Sequence, residues 1–201
     1  ALVSLLFYNC SDYLDVNTDP NNPTTAPLDQ LLTNIETNFN DITEFEFFSA
    51  EILSAYVHQF TYRDEQDQYG TRQDNSYIQN TWDNAYSVFG ETDIIINQGT
   101  EENEMIMVGM AKIIKAYTAT IIVNIWGDAP FTEAAQLASG FVSPVFDKQE
   151  DIYQNALTLI DEGIANINSG QGQNPGTQDL FYGGSISQWN RFANTLKLKL
   201  Y

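Results

Sequence analysis

Carboxylates are the most abundant reactive groups in this sequence, and three sets lie close together along the chain: Glu44 with Glu46, Asp64 with Glu65 and Asp67, and Glu101, Glu102 and Glu104. Glycoside hydrolysis uses two such groups about 5 to 9 Å apart across a cleft, one of them kept protonated by burial. With 27 acids in 201 residues, neighbouring acids arise from composition alone. These sets fall in expected loops and helix starts, so they read as a solvated acidic face. The single histidine, His58, lies between Val57 and Phe60 on an expected helix and reads as a half-buried side chain with one hydrogen bond. Asp12, Asp15, Asp19 and Asn21 form the one oxygen-rich loop cluster, but they lack the calcium-loop pattern and its terminal Glu. GQGQNPGTQD, residues 170–179, has no lysine after its glycines and reads as a flexible connector rather than a phosphate loop. No catalytic residue, metal or cofactor is therefore expected.

Aromatic side chains carry more information. The chain has 11 Tyr, 12 Phe and 3 Trp; an aromatic face stacks on the apolar C–H face of a sugar while Asn, Gln and Asp satisfy its hydroxyls. Tyr56, Tyr86 and Tyr117 fall on helical period and read as core. Tyr62, Tyr69 and Tyr77 flank or lie in the aperiodic stretch 62–76 and are the candidate ligand-binding residues.

The elements that must position these groups are helical. Leu28, Leu31, Leu32, Ile35 and Phe39 recur at spacings of three and four behind Pro27 and Asp29, which predicts a first helix. Phe45, Phe48, Ile52, Leu53, Tyr56, Val57 and Phe60 predict a second. Ile78, Trp82, Ala85, Tyr86 and Phe89 mark a third, stopped by Gly99. The fourth, about 101–125, carries Ile106, Met110, Ile113, Ile114, Tyr117 and Ile121, with the acids of TEENE in its first turn, and it ends at Trp126-Gly127-Asp128-Ala129-Pro130. Asp147 or Asp151 opens a fifth with Ile152, Ala156, Leu159, Ile160, Ile164 and Ile167 inside. The last stripe, Trp189, Phe192, Ala193, Leu196 and Leu200, stops in mid-pattern; its apolar face is expected to need a further helix, as in a chain truncated at its C-terminus. Strand signals are nearly absent, so the fold class is all-α, with antiparallel helix pairs resembling tetratricopeptide repeats, although no clean 34-residue consensus runs through the chain.

Eight Lys plus Arg against 27 Asp plus Glu give a formal net charge of -19, which repels phosphate backbones and excludes nucleic acid as a partner. One Cys rules out a disulfide framework. That residue, Cys10, stands where the apolar run 1–9 meets an acidic segment rich in Asn and Pro. Nine apolar residues are too few to span a membrane, which takes about 20. They read as the remnant of a lipoprotein signal peptide, residues 10–27 as a lipidated cysteine with an extended acidic tether, and 28–201 as the helical domain. Tyr8 and Asn9 depart from the small residues that usually precede such a cysteine.

CSDYLDVNTDPNNPT (10–24), IWGDAPFTEA (125–134), DIYQNALTLIDEGIANI (151–167) and DLFYGGSISQWNRFANTLKLKL (179–200) together resemble the SusD/RagB nutrient-binding outer-membrane lipoproteins. The resemblance implies a helical scaffold, lipidation at Cys10, an export signal at Asp12 and Asp15, and a surface-exposed, lipid-anchored position at the outer membrane. It also implies a TonB-dependent outer-membrane transporter as partner and a glycan, oligosaccharide or peptide as ligand. Matching residues such as Trp126, Gly127, Asp128, Tyr182, Gly184 and Trp189 are implied to be structural. Non-catalytic binding is the leading expectation; a helical scaffold that binds only proteins and a carboxylate-based hydrolase are the alternatives.

Overall fold

The computed structural model describes residues 26–44, 48–62, 76–136 and 140–201. Among them are six α-helices: α1 (Leu28–Thr43), α2 (Ser49–Tyr56), α3 (Ser76–Glu101), α4 (Met105–Trp126), α5 (Gln149–Asn168) and α6 (Ile186–Leu200), with a 3-10 turn at Gly176–Gln178. The only extended pairing among the described residues is one isolated antiparallel bridge between Ala129 and Asp147. The all-α expectation stands.

Contacts at two levels of each pair show that neighbouring helices run antiparallel: at one level Gly99 of α3 lies by Leu28 of α1 and Val108 of α4, Tyr153 of α5 bonds Asn124 of α4, and Asn168 of α5 bonds Asn190 of α6. At the other, between α1 and α3, Asn34 and Asn38 reach Glu91; between α3 and α4, Asp93 meets Lys115. Lys112 and Glu162 pair α4 with α5, and Lys197 and Asp161 pair α6 with α5. α4 lies at the centre, buried nearly all round, from Ile106 to Val123. It is long and apolar enough to cross a membrane, with a mean hydropathy of 1.6, yet 78% of that stretch is buried inside the protein, as befits a core helix.

Glycine sets the closest helix approach. A Cβ on Gly109 of α4 would lie 2.6 Å from the Gly163 carbonyl oxygen of α5, and one on Gly163 would lie 2.9 Å from the Gly109 carbonyl oxygen. The two backbones therefore touch at a point where no side chain fits.

Several boundaries differ from the sequence expectation. α3 runs through Gly99 to Glu101, because Gly99 is buried against Val108 rather than placed at a turn; the turn belongs to Asn103, at φ 61, with Glu104 N–H bonded to the Gly99 carbonyl at 2.7 Å. The TEENE acids consequently close α3 and leave no acid in the first turn of α4. α2 is only 8 residues long: its stripe breaks at Val57, while Leu53, Tyr56 and Val57 are exposed. His58 follows in the left-handed region at φ 60 and is exposed, not half-buried. The expected unpartnered face of α6 is covered within this chain. Trp189, Ala193 and Leu196 are buried, and Phe192 and Leu200 pack on the same core.

Candidate functional site

A polar groove of about 790 Å³ opens along the outer face of α3. Ser87, Glu91 and Ile94 follow one another at helical spacing along its floor, and Thr132 and Gln136 face them from the turn after α4. Asp93 and Lys115 form an ion pair at its edge, and the Lys115 ammonium lies 5.6 Å from the centre of the Phe131 ring. Burial raises the Glu91 carboxyl above the ordinary carboxylate range; amide donors from Asn38 and Asn34 partly offset the shift. Tyr86 donates to the Pro130 carbonyl at 2.8 Å; burial first, then the charge of Asp147, raises its phenol. Hydroxyls, amides and carboxylates in this groove suit hydrogen bonding to a polar ligand. Its lining holds no Ser–His or Cys–His arrangement, since the single His is His58 of the α2 end.

The turn that builds one wall is held by two acids working across each other. Gly127 ends α4 at φ 76, and its N–H bonds the Val123 carbonyl. Asp128 then accepts the Gln149 N–H at 2.9 Å, so the first turn of α5 is capped from outside its own segment. Asp147, expected to open that helix, instead accepts Phe131 N–H at 3.0 Å, Thr132 N–H at 2.8 Å and the Thr132 hydroxyl at 2.9 Å. These residues position the chain.

The segment expected to be a simple connector holds the most constrained acid among the described residues. Asp179 is 2% exposed. Its Oδ1 accepts the Phe181 and Tyr182 N–H groups, each at 3.0 Å, and its Oδ2 accepts Gly184 N–H and Trp189 Nε1–H, each at 2.7 Å. It thereby sets the 181–184 turn and seats the indole at the start of α6.

Cys10, Asp12, Asp15, Asp19, Asn21, Tyr69 and the Asp64, Glu65 and Asp67 set lie outside the described residues. Tyr62 is 7% exposed and packs edge-on against Phe60, with ring centres 5.1 Å apart. Tyr77 is half-buried in the first turn of α3. Tyr62 and Tyr77 thus mark the two ends of the 62–76 stretch, one facing inward and one on a helix. Glu44, Glu101 and Glu102 are exposed, and Glu104 accepts the Gln173 N–H. Among the described residues no group of His, Cys, Asp and Glu is placed to hold a metal ion.

The described residues form an all-α ladder of antiparallel helix pairs with polar turns at its ends. Residues 20–201 match the SusD-like family described as starch-binding and associating with the outer membrane, and the chain belongs to that family. Solved structures agree. A SusD/RagB family protein from Bacteroides thetaiotaomicron VPI-5482 superposes with a TM-score of 0.72 at 26% identity, covering 86% of this chain and 37% of that one. A chitin-binding protein gives 0.69 at 26% identity, covering 87% and 38%. A SusD homolog from Bacteroides fragilis NCTC 9343 shares the fold at 20% identity, with a TM-score of 0.62, covering 86% and 35%. This chain therefore spans little more than a third of the length of these relatives. No match emerges among curated proteins.

Proposed function

We propose that this chain serves a non-catalytic nutrient receptor at the outer-membrane surface, one that captures a glycan, oligosaccharide or peptide and hands it to a TonB-dependent transporter. The family match over residues 20–201 carries this reading. Cys10 is the lipid anchor, which the apolar run ending at the cysteine supports, and Asp12 and Asp15 are its export signal, which rests on the resemblance of the segment after the cysteine to surface-exported lipoproteins. Contact with ligand comes from the 62–77 stretch, through Tyr69 and Tyr77; Tyr62, 7% exposed, packs on Phe60. The 26% identity to a protein described as chitin-binding makes a neutral polysaccharide the first ligand to test. A net charge of -19 makes polyanions poor candidates.

Isothermal titration of the full-length protein against chitooligosaccharides, neutral glucans, acidic glycans and peptides, with product analysis after long incubation, tests the function. Saturable heat with a neutral oligosaccharide or a peptide and no product is expected. A product that depends on a single carboxylate, or binding confined to acidic polymers, overturns it. For the anchor, a palmitate analogue should label the protein in its native host and Cys10→Ser should abolish the label; a label that survives the substitution refutes the assignment.

A further inference from the structure

Two carboxyl groups meet inside the protein where the surroundings support one negative charge. Glu36 of α1 is 0% exposed and Asp179 is 2% exposed. Four N–H donors converge on Asp179, from Phe181, Tyr182, Gly184 and the Trp189 indole, so it is the carboxylate of the pair. Glu36 is less well supplied: its Oε2 accepts the Leu180 N–H at 2.6 Å, and the Phe181 N–H acts on it more weakly. Its Oε1 is buried without an N–H or O–H donor, and the carboxyl lies beside that of Asp179. A buried acid oxygen without a donor, set against an anion, is satisfied once it carries a proton of its own.

Among the described residues, no cation reaches the pair from the elements packed around it. Lys115 of α4 is held by Asp93 and Lys112 by Glu162. On α6, Lys197 is held by Asp161, Lys199 lies over the Tyr117 ring at 5.1 Å, and Arg191 is exposed. Glu91 of α3 is taken by Asn34 and Asn38. Tyr182, whose phenol is raised by burial and by Asp179, is the remaining titratable neighbour.

We propose that Glu36 and Asp179 share one proton, and that this proton is a latch holding α1 to the 179–184 turn and the start of α6, released as the pH rises. The same junction carries the Thr33 hydroxyl bonded to the Gln178 carbonyl at 2.7 Å, so opening frees one side of α1 from the turn. Burial, reinforced by the neighbouring Asp179 and opposed by the Leu180 N–H, pushes the Glu36 carboxyl up from 4.5 to about 9. The sign follows from linkage. Below the open-state value of 4.5 both forms hold the proton and the latch contributes fully; between 4.5 and about 9 only the closed form holds it, and the contribution falls until it is gone above about 9. Opening is thus favoured by up to about tenfold per pH unit across that window.

The test is NMR on isotopically labelled protein between pH 5 and 10. The Trp189 indole N–H and the Leu180 amide should titrate together with a midpoint well above the ordinary carboxylate range. Hydrogen exchange at Leu180 and Gly184 should accelerate beyond the intrinsic base-catalysed rise by up to about tenfold per pH unit. Glu36→Gln keeps the shape of the side chain but cannot ionise, and should flatten both responses. Unchanged pH dependence in Glu36→Gln overturns the latch. So does a Glu36 side-chain carboxyl carbon that titrates near 4.5 in the wild-type protein, a readout that decides the matter even if the variant does not fold.

Discussion

Glycine-to-alanine exchange at two helical positions should shift stability in opposite directions. In an exposed helix Gly is about 1 kcal/mol worse than Ala, because it loses more backbone freedom on folding. At Gly90 of α3 an added Cβ would meet only the Ala135 Cβ, at 3.4 Å, an ordinary contact. Gly90→Ala should therefore stabilise by about 0.5–1 kcal/mol and, for a chain of this size, raise Tm by about 1–4 °C. At Gly109 of α4 the same atom would lie 2.6 Å from the Gly163 carbonyl oxygen, 2.7 Å from Ile167 Cγ1 and 2.9 Å from the Ile167 nitrogen. Two of those atoms are backbone and cannot swing aside, so the helices must part. Overpacking of this kind costs about 3 kcal/mol, against which the propensity gain returns about 1. The net loss of about 2 kcal/mol lowers Tm by about 4–8 °C. Thermal unfolding followed by circular dichroism, with urea denaturation to check that the m-value is unchanged, measures both. If Gly109→Ala proves as stable as Gly90→Ala, the backbone contact between α4 and α5 is not the constraint inferred here.

Trp189→Phe keeps the buried ring but removes the indole donor to Asp179; a lost hydrogen bond to a charged acceptor should cost about 1.5–3 kcal/mol in urea unfolding, and no loss would refute the role given to that contact. Asp128→Ala removes the acceptor for the Gln149 N–H and should cost about 0.5–2 kcal/mol, with faster amide exchange confined to the first turn of α5. Protection lost evenly along the helix would argue against a local capping role.

The helices were legible because their signal is local. Leu28, Leu32, Ile35 and Phe39 repeat at the period of the element they form, and all four are buried on α1. The same rule marks Glu36: it follows Leu32 by four and precedes Phe39 by three, which places it on the buried face, where an acid needs a partner. Its partner could not be read in the same way. Asp179 stands among Gly, Asn, Pro and Gln, a composition that signals only a turn, and its N–H partners are mostly backbone groups that leave no mark in residue type. Asp147 was visible as an acid just ahead of a helix, yet its donors lie in the turn after α4, so proximity in sequence pointed to the wrong helix. The groove along α3 leaves no signal in the sequence, because Ser87, Glu91 and Thr132 are the residue types that usually face water.

The acidic composition has a consequence beyond ligand choice. With 27 acids and 8 bases, ammonium and guanidinium groups cannot pair every carboxylate. The structural acids Asp128, Asp147 and Asp179 draw instead on main-chain N–H groups, together with the Thr132 hydroxyl and the Trp189 indole. Such bonds act at contact distance and are little affected by salt, whereas repulsion across a surface of net charge -19 acts over about a Debye length, which shrinks from about 10 Å at 0.1 M to about 3 Å at 1 M. Among the described residues the ion pairs Lys112–Glu162, Lys115–Asp93 and Lys197–Asp161 are weakened by the same salt, but partly exposed pairs of this kind contribute little, and the chain has only 8 bases for its 27 acids. Screening should therefore relieve more repulsion than attraction, and Tm should rise as NaCl increases from 0.05 to about 0.5 M. A Tm that falls over that range would mean that the ion pairs, rather than the carboxylate-to-backbone bonds, hold the acidic chain together.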